Sequence, residues 1–445
     1  MSTNGMQNGA GGTAPTTRQM LALWLPLAAS VVMMVLEPTI INVGLGRTAA
    51  PELALAAYGV AFSLALLVEA PIIMLLDASV ARAVDRPSFV LIRRFTLLLG
   101  LAVTAIGLVL SFTPLYDLVV HNWMNIPTDV AAQARPTLQV LSFWSLPIAW
   151  RRAHQGVLIR ARHTAAISAA TIVRLLTLAG AMLGGLVLYP EQGALVAGVA
   201  MVISVNVEAI LITLATRPTL HSDSYRVGSP TDAASTLTLR DLWRFYRPLA
   251  WTTILRQFSR PLLNAGIAAA ALPVASLAAW PVAWGFAILI AGPAWSLQQL
   301  STALVSEAAA YRPVKRFALS LSAVMAFLLG VVAFTPLYGL VMGGVYNLSP
   351  MLQELARPAL QLLVLYPLVM GTQSLLRGVL IRVGRTDPVR WAMAVNISTL
   401  AATLLVGVTL LSVSGVVLAA VATLSGGLAE LVYLWWKWGD VSGLA

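Results

Sequence analysis

The second half of this chain repeats the first in register. Phe112-Thr-Pro-Leu-Tyr116 recurs as Phe334-Thr-Pro-Leu-Tyr338, Ala134-Arg-Pro136 as Ala356-Arg-Pro358, and Gly156-Val-Leu-Ile-Arg160 as Gly378-Val-Leu-Ile-Arg382, each 222 residues on. The same offset pairs Pro26 with Pro248, Asn42 with Asn264, Pro71 with Pro293, Arg94-Phe95 with Arg316-Phe317, Thr164 with Thr386, and Glu208 with Glu430. A match without gaps from Pro26 to Glu208 is the mark of internal duplication, so whatever the first half folds into, the second must fold into as well.

The repeated unit is a membrane unit. Hydrophobic residues make up 59% of the chain and charged residues 10%, far from a soluble composition. Apolar runs predict twelve spans at 19–45, 53–81, 90–112, 130–159, 164–188, 193–215, 242–267, 274–305, 314–335, 352–381, 388–411 and 414–436. Each is long enough to cross a hydrocarbon core of about 30 Å. Six spans per unit is an even number, so both units enter from the same side and are related by a pseudo-two-fold along the membrane normal. The expected fold is an all-α polytopic membrane protein of twelve transmembrane helices in two six-helix lobes. Residues 1–17 are expected to form a disordered tail, 18–216 the first lobe, 217–240 a cytoplasmic linker, 241–438 the second lobe and 439–445 a C-terminal tail.

The net charge of +11 is almost entirely arginine, Lys315 and Lys437 being the only lysines. Arg82, Arg86, Arg93 and Arg94 flank the loop after span 2, and Arg160, Arg162, Arg217, Arg240, Arg244, Arg312, Lys315, Arg382 and Arg385 lie in the alternate loops that follow. The segments 113–127 and 336–350 carry no Lys or Arg. This asymmetry places both termini in the cytoplasm, with Arg47 the one exception, and it accounts for the basic balance without nucleic acid. The expected location is a bacterial inner membrane, and the expected state a monomer. There is no cysteine, and no phosphate-binding glycine loop, HExxH or GxSxG, so no enzyme and no metal site is expected.

Charge inside the spans is where function is expected. Arg256 and Arg260 stand four residues apart in span 7, on one helix face with Asn264 and beside Pro261. Each arginine at mid-bilayer costs roughly 2.5–3.5 kcal/mol on insertion scales, so the pair needs water, protein partners or an anionic ligand. Guanidinium forks onto carboxylate or phosphate. Arg256, Arg260, Asn264, its repeat partner Asn42, Gln298 and Gln299 are therefore candidate substrate ligands, the two asparagines being equally able to tie spans together. Glu37 and Glu69 are candidates for proton or sodium coupling, or for counter-charge to the two arginines. Arg152, His154 and Arg377 are candidates for a basic vestibule. Arg174 and Glu208 are expected to pair within the first lobe, Glu430 has no obvious partner, and Trp280, Trp284 and Trp295 read as packing.

Six plus six spans with this duplication resemble the MATE-type exporters of the multidrug, oligosaccharidyl-lipid and polysaccharide exporter superfamily. A more particular resemblance is to the progressive ankylosis proteins. It rests on Tyr58-Gly-Val-Ala-Phe-Ser-Leu64 with Pro71, His154-Gln-Gly-Val-Leu-Ile-Arg160, Pro248-Leu-Ala250, Ser259-Arg-Pro-Leu-Leu-Asn264, Pro281-Val282 and Pro293. It implies a two-lobed fold and secondary active export of a small organic or phosphate-bearing anion such as citrate, pyrophosphate or ATP, by alternating access. The acidic tail of that family is missing here, so regulation through it does not carry over. Two other readings stay open: a proton- or sodium-coupled exporter of cationic drugs, which would need unpaired cavity carboxylates, and a lipid-linked precursor flippase, which would need a lateral opening between spans 1 and 8.

Overall fold

A computed structural model describes residues 15–222, 238–305, 308–383, 385 and 387–439. Most of the N-terminal tail, most of the linker and almost all of the C-terminal tail fall outside these residues.

Among the described residues the chain forms twelve long helices. They are α1 (Thr17–Leu45), α2 (Pro51–Arg82), α3 (Arg86–Phe112), α4 (128–160), α5 (Thr164–Leu188), α6 (Gly193–His221), α7 (Leu239–Ala268), α8 (Pro273–Leu304), α9 (Ala308–Phe334), α10 (Pro350–Arg382), α11 (Asp387–Leu410) and α12 (Gly415–Gly439). The expected span boundaries agree to within a few residues. Ten of these helices are apolar enough to cross a membrane by composition alone. The other two are α4 and α7, which carry Arg151, Arg152, Arg256 and Arg260.

The repeat extends to the irregularities. A 3₁₀ turn interrupts α2 at Ala70–Ile72 and α8 at Gly292–Ser296, each holding the proline of a 222-residue pair. A short π-helical turn occurs at Leu118–Trp123 and again at Leu340–Val345, and each is followed by an asparagine with positive φ, Asn125 at 51° and Asn347 at 55°. Asparagine tolerates that conformation better than most residues.

Packing explains the repeated motifs. In Phe-Thr-Pro-Leu-Tyr, the tyrosine hydroxyl donates to a carbonyl of the following helix, Tyr116 to Ala131 at 2.7 Å and Tyr338 to Gln353 at 2.5 Å. The arginine of Ala-Arg-Pro lies over that tyrosine ring, 5.2 Å away for Arg135 and 5.3 Å for Arg357, and its Nε donates to the frayed end of α3 or α9. The glycine of Gly-Val-Leu-Ile-Arg lets α4 and α10 approach their neighbours. A Cβ on Gly156 would stand 2.4 Å from that of Ser79, and one on Gly378 2.4 Å from the carbonyl of Gln298.

The two units are not cleanly separate. We call the end of the bundle with the arginine-rich loops the basic end and the other the neutral end. Near the neutral end α1 packs in its own unit, with Gly44 against Met182 of α5. Toward the basic end α1 buries Met20, Trp24, Ala28 and Val35 in a cluster with Ala291, Leu297, Val314 and Met370 of the second unit. Trp24 Nε1 donates to the Pro293 carbonyl at 3.3 Å and its ring meets Phe317 edge-on at 6.4 Å. α7 does the converse. Its neutral half lies against Leu404 and Gly415 of its own unit, whereas Tyr246 donates to the Pro71 carbonyl and meets Phe95 edge-on at 5.2 Å. Tyr246 is the 222-residue counterpart of Trp24, as Pro293 is of Pro71 and Phe317 of Phe95. Helices α1 and α7 thus cross from one unit to the other in opposite directions.

Candidate functional site: arginines where a helix crosses the cleft

Arg256 and Arg260 lie where α7 passes between units. The lipid-facing side of α7 is marked by Trp251, Leu255 and Phe258, exposed by 60%, 57% and 38%. At 100° per residue the two arginines lie roughly 140–180° round the helix from Trp251. Both side chains are nevertheless exposed. An exposed side chain on the face turned away from lipid needs water or polar partners inside the protein, which makes these arginines candidates for lining a cleft between the units. Arg256 feels the charges of Arg377 on α10 and Asp77 on α2, one from each unit; Arg260 lies in the field of Arg256 and of the Tyr366 hydroxyl. Tyr366 stands edge-on to Trp284 at 5.0 Å, and Trp284 stacks on Trp280 at 5.6 Å. Among the described residues no carboxylate pairs with Arg256 or Arg260.

The carboxylates are engaged elsewhere, and this corrects two expectations. Glu37 is bound by Arg174 and does not reach the α7 arginines. Arg174 also brings its Nε to 3.0 Å from Glu208, which takes a second ion pair from Arg151 and a hydrogen bond from Thr171 at 3.1 Å. Glu430, for which the sequence suggests no partner, is bound by Arg377 and accepts from Asn396 Nδ2 at 2.8 Å. Glu208 and Glu430 are 1% and 2% exposed, so each is a buried charge held by its partners. The two pairs are versions of one motif. At the repeat offset Arg151 and Gln155 correspond to Gln373 and Arg377, so the arginine and the glutamine exchange places by one helical turn. Arg174 corresponds to Asn396, and each attends the glutamate of its own unit, Glu208 and Glu430. The pairing expected between Arg174 and Glu208 is present.

The remaining candidates divide. Glu69 is buried at 3% exposure in the field of Arg152 and Arg151, inside the first unit. Arg152 is half-buried, its Nε without a hydrogen-bond partner, and it also feels Asp77. His154 does not face a vestibule. It is buried between Phe89 and Trp150, with Nδ1 2.9 Å from the Trp150 carbonyl. Gln298 and Gln299 lie past the break in α8, half-buried and exposed respectively. Asp77, which the sequence reading did not single out, is the counterpart of Gln299, and that pairing was the signal available for it.

Asn42 and Asn264 join the units rather than the arginine cluster. Asn42 Nδ2 donates across to the Pro281 carbonyl of α8 at 3.0 Å, and Asn264 Nδ2 donates across to the Gly59 carbonyl of α2 at 3.3 Å and to Ser63 Oγ at 2.9 Å. Pro281 and Gly59 are themselves a 222-residue pair, so the two bonds are one contact made twice. A Cβ on Gly59 would come within 3.0 Å of Pro281, showing how closely α2 and α8 meet there. Asn347 adds a donor to the Gly46 carbonyl at 2.8 Å. All these contacts lie toward the neutral end. A separate cavity of about 560 Å³ between α11 and α12 is lined by Thr399, Thr403, Val406, Gly407 and Leu418, without a charged residue, and does not involve the cleft.

No family model and no curated protein matches the sequence. The structure is similar to an inward-facing multidrug resistance MATE family transporter of the MOP superfamily, at a TM-score of 0.72 and 16% identity over 94% of this chain and 98% of that one. It is also similar to an outward-facing MATE family transporter, at 0.61 and 14% over 97% and 99%. The lipid II flippase MurJ, in an inward closed conformation, gives 0.66 and 12% over 94% and 87%. At these identities the likeness is one of fold: the chain is a polytopic membrane protein with the two-lobed architecture of the MATE-type transporters of the MOP superfamily.

Proposed function

We propose that the protein is a secondary active transporter that carries a small anion through the cleft between its units by alternating access. The observation that carries this is the pair Arg256 and Arg260: water-accessible, turned from the lipid, and without a carboxylate partner among the described residues, while Glu37, Glu208 and Glu430 are each neutralised by arginine. Two guanidinium groups one turn apart suit a carboxylate or phosphate group. The sequence resemblance to progressive ankylosis proteins points to citrate, pyrophosphate or an ATP-like anion. The loop charges favour a cytoplasmic basic end and an inner-membrane location. In that orientation the contacts at Asn42 and Asn264 close the outer side, in keeping with the higher similarity to the inward-facing relative. Glu69, buried and without a direct ion-pair partner among the described residues, is a candidate to couple a proton.

The rival readings have less support. A cationic drug needs a free carboxylate in the cleft, and there the unpaired charges are predominantly positive. A lipid-linked precursor needs a lateral opening, and the α1–α8 seam is tied by Trp24 toward one end and Asn42 toward the other. The test is flux of labelled citrate, pyrophosphate and ATP in liposomes. A hydrogen bond to a charged group contributes roughly 1.5–3 kcal/mol. Arg260→Ala is therefore expected to weaken uptake by roughly tenfold or more at subsaturating substrate. If no anion moves, or if Arg256→Ala and Arg260→Ala both transport as the parent does, the reading fails.

A further inference from the structure

The basic end of α7 carries a second arginine cluster, independent of the cleft. Arg240, Arg244 and Arg247 are exposed. On the helical wheel they lie within roughly 40° of Trp251, and so continue the lipid-facing stripe of Trp251, Leu255 and Phe258 up to the level where the helix leaves the membrane. α3 is built the same way. Arg94 stands above Leu98 and Leu101, which are 61% and 54% exposed, with Arg93 beside it. The two helices are neighbours at this level, because the Phe95 ring meets those of Tyr246 and Trp243 at 5.2 and 6.2 Å. Five exposed arginines therefore border one seam that opens sideways toward lipid. Two acidic residues lie nearby, each in a helix cap: Asp85 accepts from Ser88, and Asp241 accepts from Thr238 and lies in the field of Arg240 and Arg244, so the cluster keeps a positive excess.

The pseudo-symmetric seam between α9 and α1 supplies a comparison within the same molecule. It keeps Lys315, Arg316 and Arg18 as the counterparts of Arg93, Arg94 and Arg240, but Arg244 and Arg247 correspond to Ala22 and Leu25, both exposed. The scaffold therefore does not require arginine at these two positions. Charged side chains above an apolar, lipid-facing stripe match a molecule that is anionic at one end and apolar at the other.

We infer that the α3–α7 seam binds the headgroup of an anionic phospholipid, whose acyl chains lie along Trp251 and Leu255. A basic side chain near an anionic lipid surface strengthens association roughly fivefold. The experiment is native mass spectrometry of the full chain in detergent with equal amounts of phosphatidylglycerol and phosphatidylcholine. Phosphatidylglycerol is expected to be retained preferentially. Arg244→Ala with Arg247→Leu, which installs the residues the other unit carries, is expected to reduce that preference by roughly 25-fold. Ala22→Arg with Leu25→Arg is expected to retain one additional phosphatidylglycerol, a gain that partial unfolding cannot imitate. An unchanged lipid preference in the first variant, or no added lipid in the second, overturns the inference. So does inorganic phosphate that, with phosphatidylcholine alone, raises the thermal midpoint as much as phosphatidylglycerol does, because the site would then recognise free phosphate and not a lipid.

Discussion

Removing the paired asparagine contacts is expected to loosen the neutral end by an amount that follows the number of acceptors. Asn42 has one acceptor across the interface, the Pro281 carbonyl, and Asn264 has two, the Gly59 carbonyl and Ser63 Oγ. Interhelical hydrogen bonds in membranes contribute about 0.6 kcal/mol on average and about 1.7 at most. Asn42→Ala is therefore expected to raise the ratio of open to closed neutral end roughly threefold, and Asn264→Ala by up to roughly eighteenfold. Ser63→Ala, which leaves Asn264 one acceptor, should resemble Asn42→Ala. The two contacts meet at Gly59 and Pro281, so the double variant measures their coupling and need not equal the sum. The chain has no cysteine, so spin labels can be attached at Ala49→Cys and Val345→Cys without removing any native thiol. Both positions are exposed near the neutral end, one in each unit. Pulsed electron resonance distances in nanodiscs then report the two populations. If Asn264→Ala shifts them no further than Asn42→Ala, ranking by acceptors is wrong. If neither variant shifts them, these bonds do not hold the end shut.

Glu208→Ala strands Arg151 and leaves Arg174 with Glu37 alone, and is expected to cost roughly 3–5 kcal/mol, read as a lowered thermal midpoint in detergent. Glu430→Ala should cost less, because the Arg377 side chain is 21% exposed against 12% and 8% for Arg151 and Arg174. Gly156→Ala and Gly378→Ala are expected to destabilise by about 1–3 kcal/mol each through overpacking. Gly184→Ala, where a Cβ would meet nothing within 4 Å, should be neutral or stabilising in the same assay. Tyr246→Phe removes the bond from α7 to the Pro71 carbonyl and should lower the midpoint without changing which of the labelled anions is transported.

The repeat made most of the fold legible. Twelve helices and the prolines at the breaks of α2 and α8 follow from one offset, because a duplicated sequence must repeat its backbone irregularities as well as its apolar faces. The charge partners were harder to read. Their places in spans 1 and 5 show that Glu37 and Arg174 lie within the membrane, but not that α1 lies against α5 at that depth. Arg377 was placed in a vestibule because it lies near a helix end; its role as partner to Glu430 becomes visible only when Gln155 and Arg377 are seen as counterparts around equivalent glutamates. The asparagines admit two readings for a related reason. Sequence alone cannot distinguish a polar side chain that lines water from one that reaches a neighbouring carbonyl, and Asn42 and Asn264 do the latter.

The crossing of α1 and α7 bears on how such a chain could have arisen. A single six-helix unit with this packing cannot cover the basic half of its own first helix, since Trp24 and Tyr246 both find their carbonyl acceptors on the other unit. Before duplication and fusion, an ancestor packed in this way would have buried that half only on a second copy, each protomer lending its first helix to the other. On that history the linker between α6 and α7 joined partners already exchanged, and the two-fold relation of the present molecule preserves the symmetry of a swapped dimer.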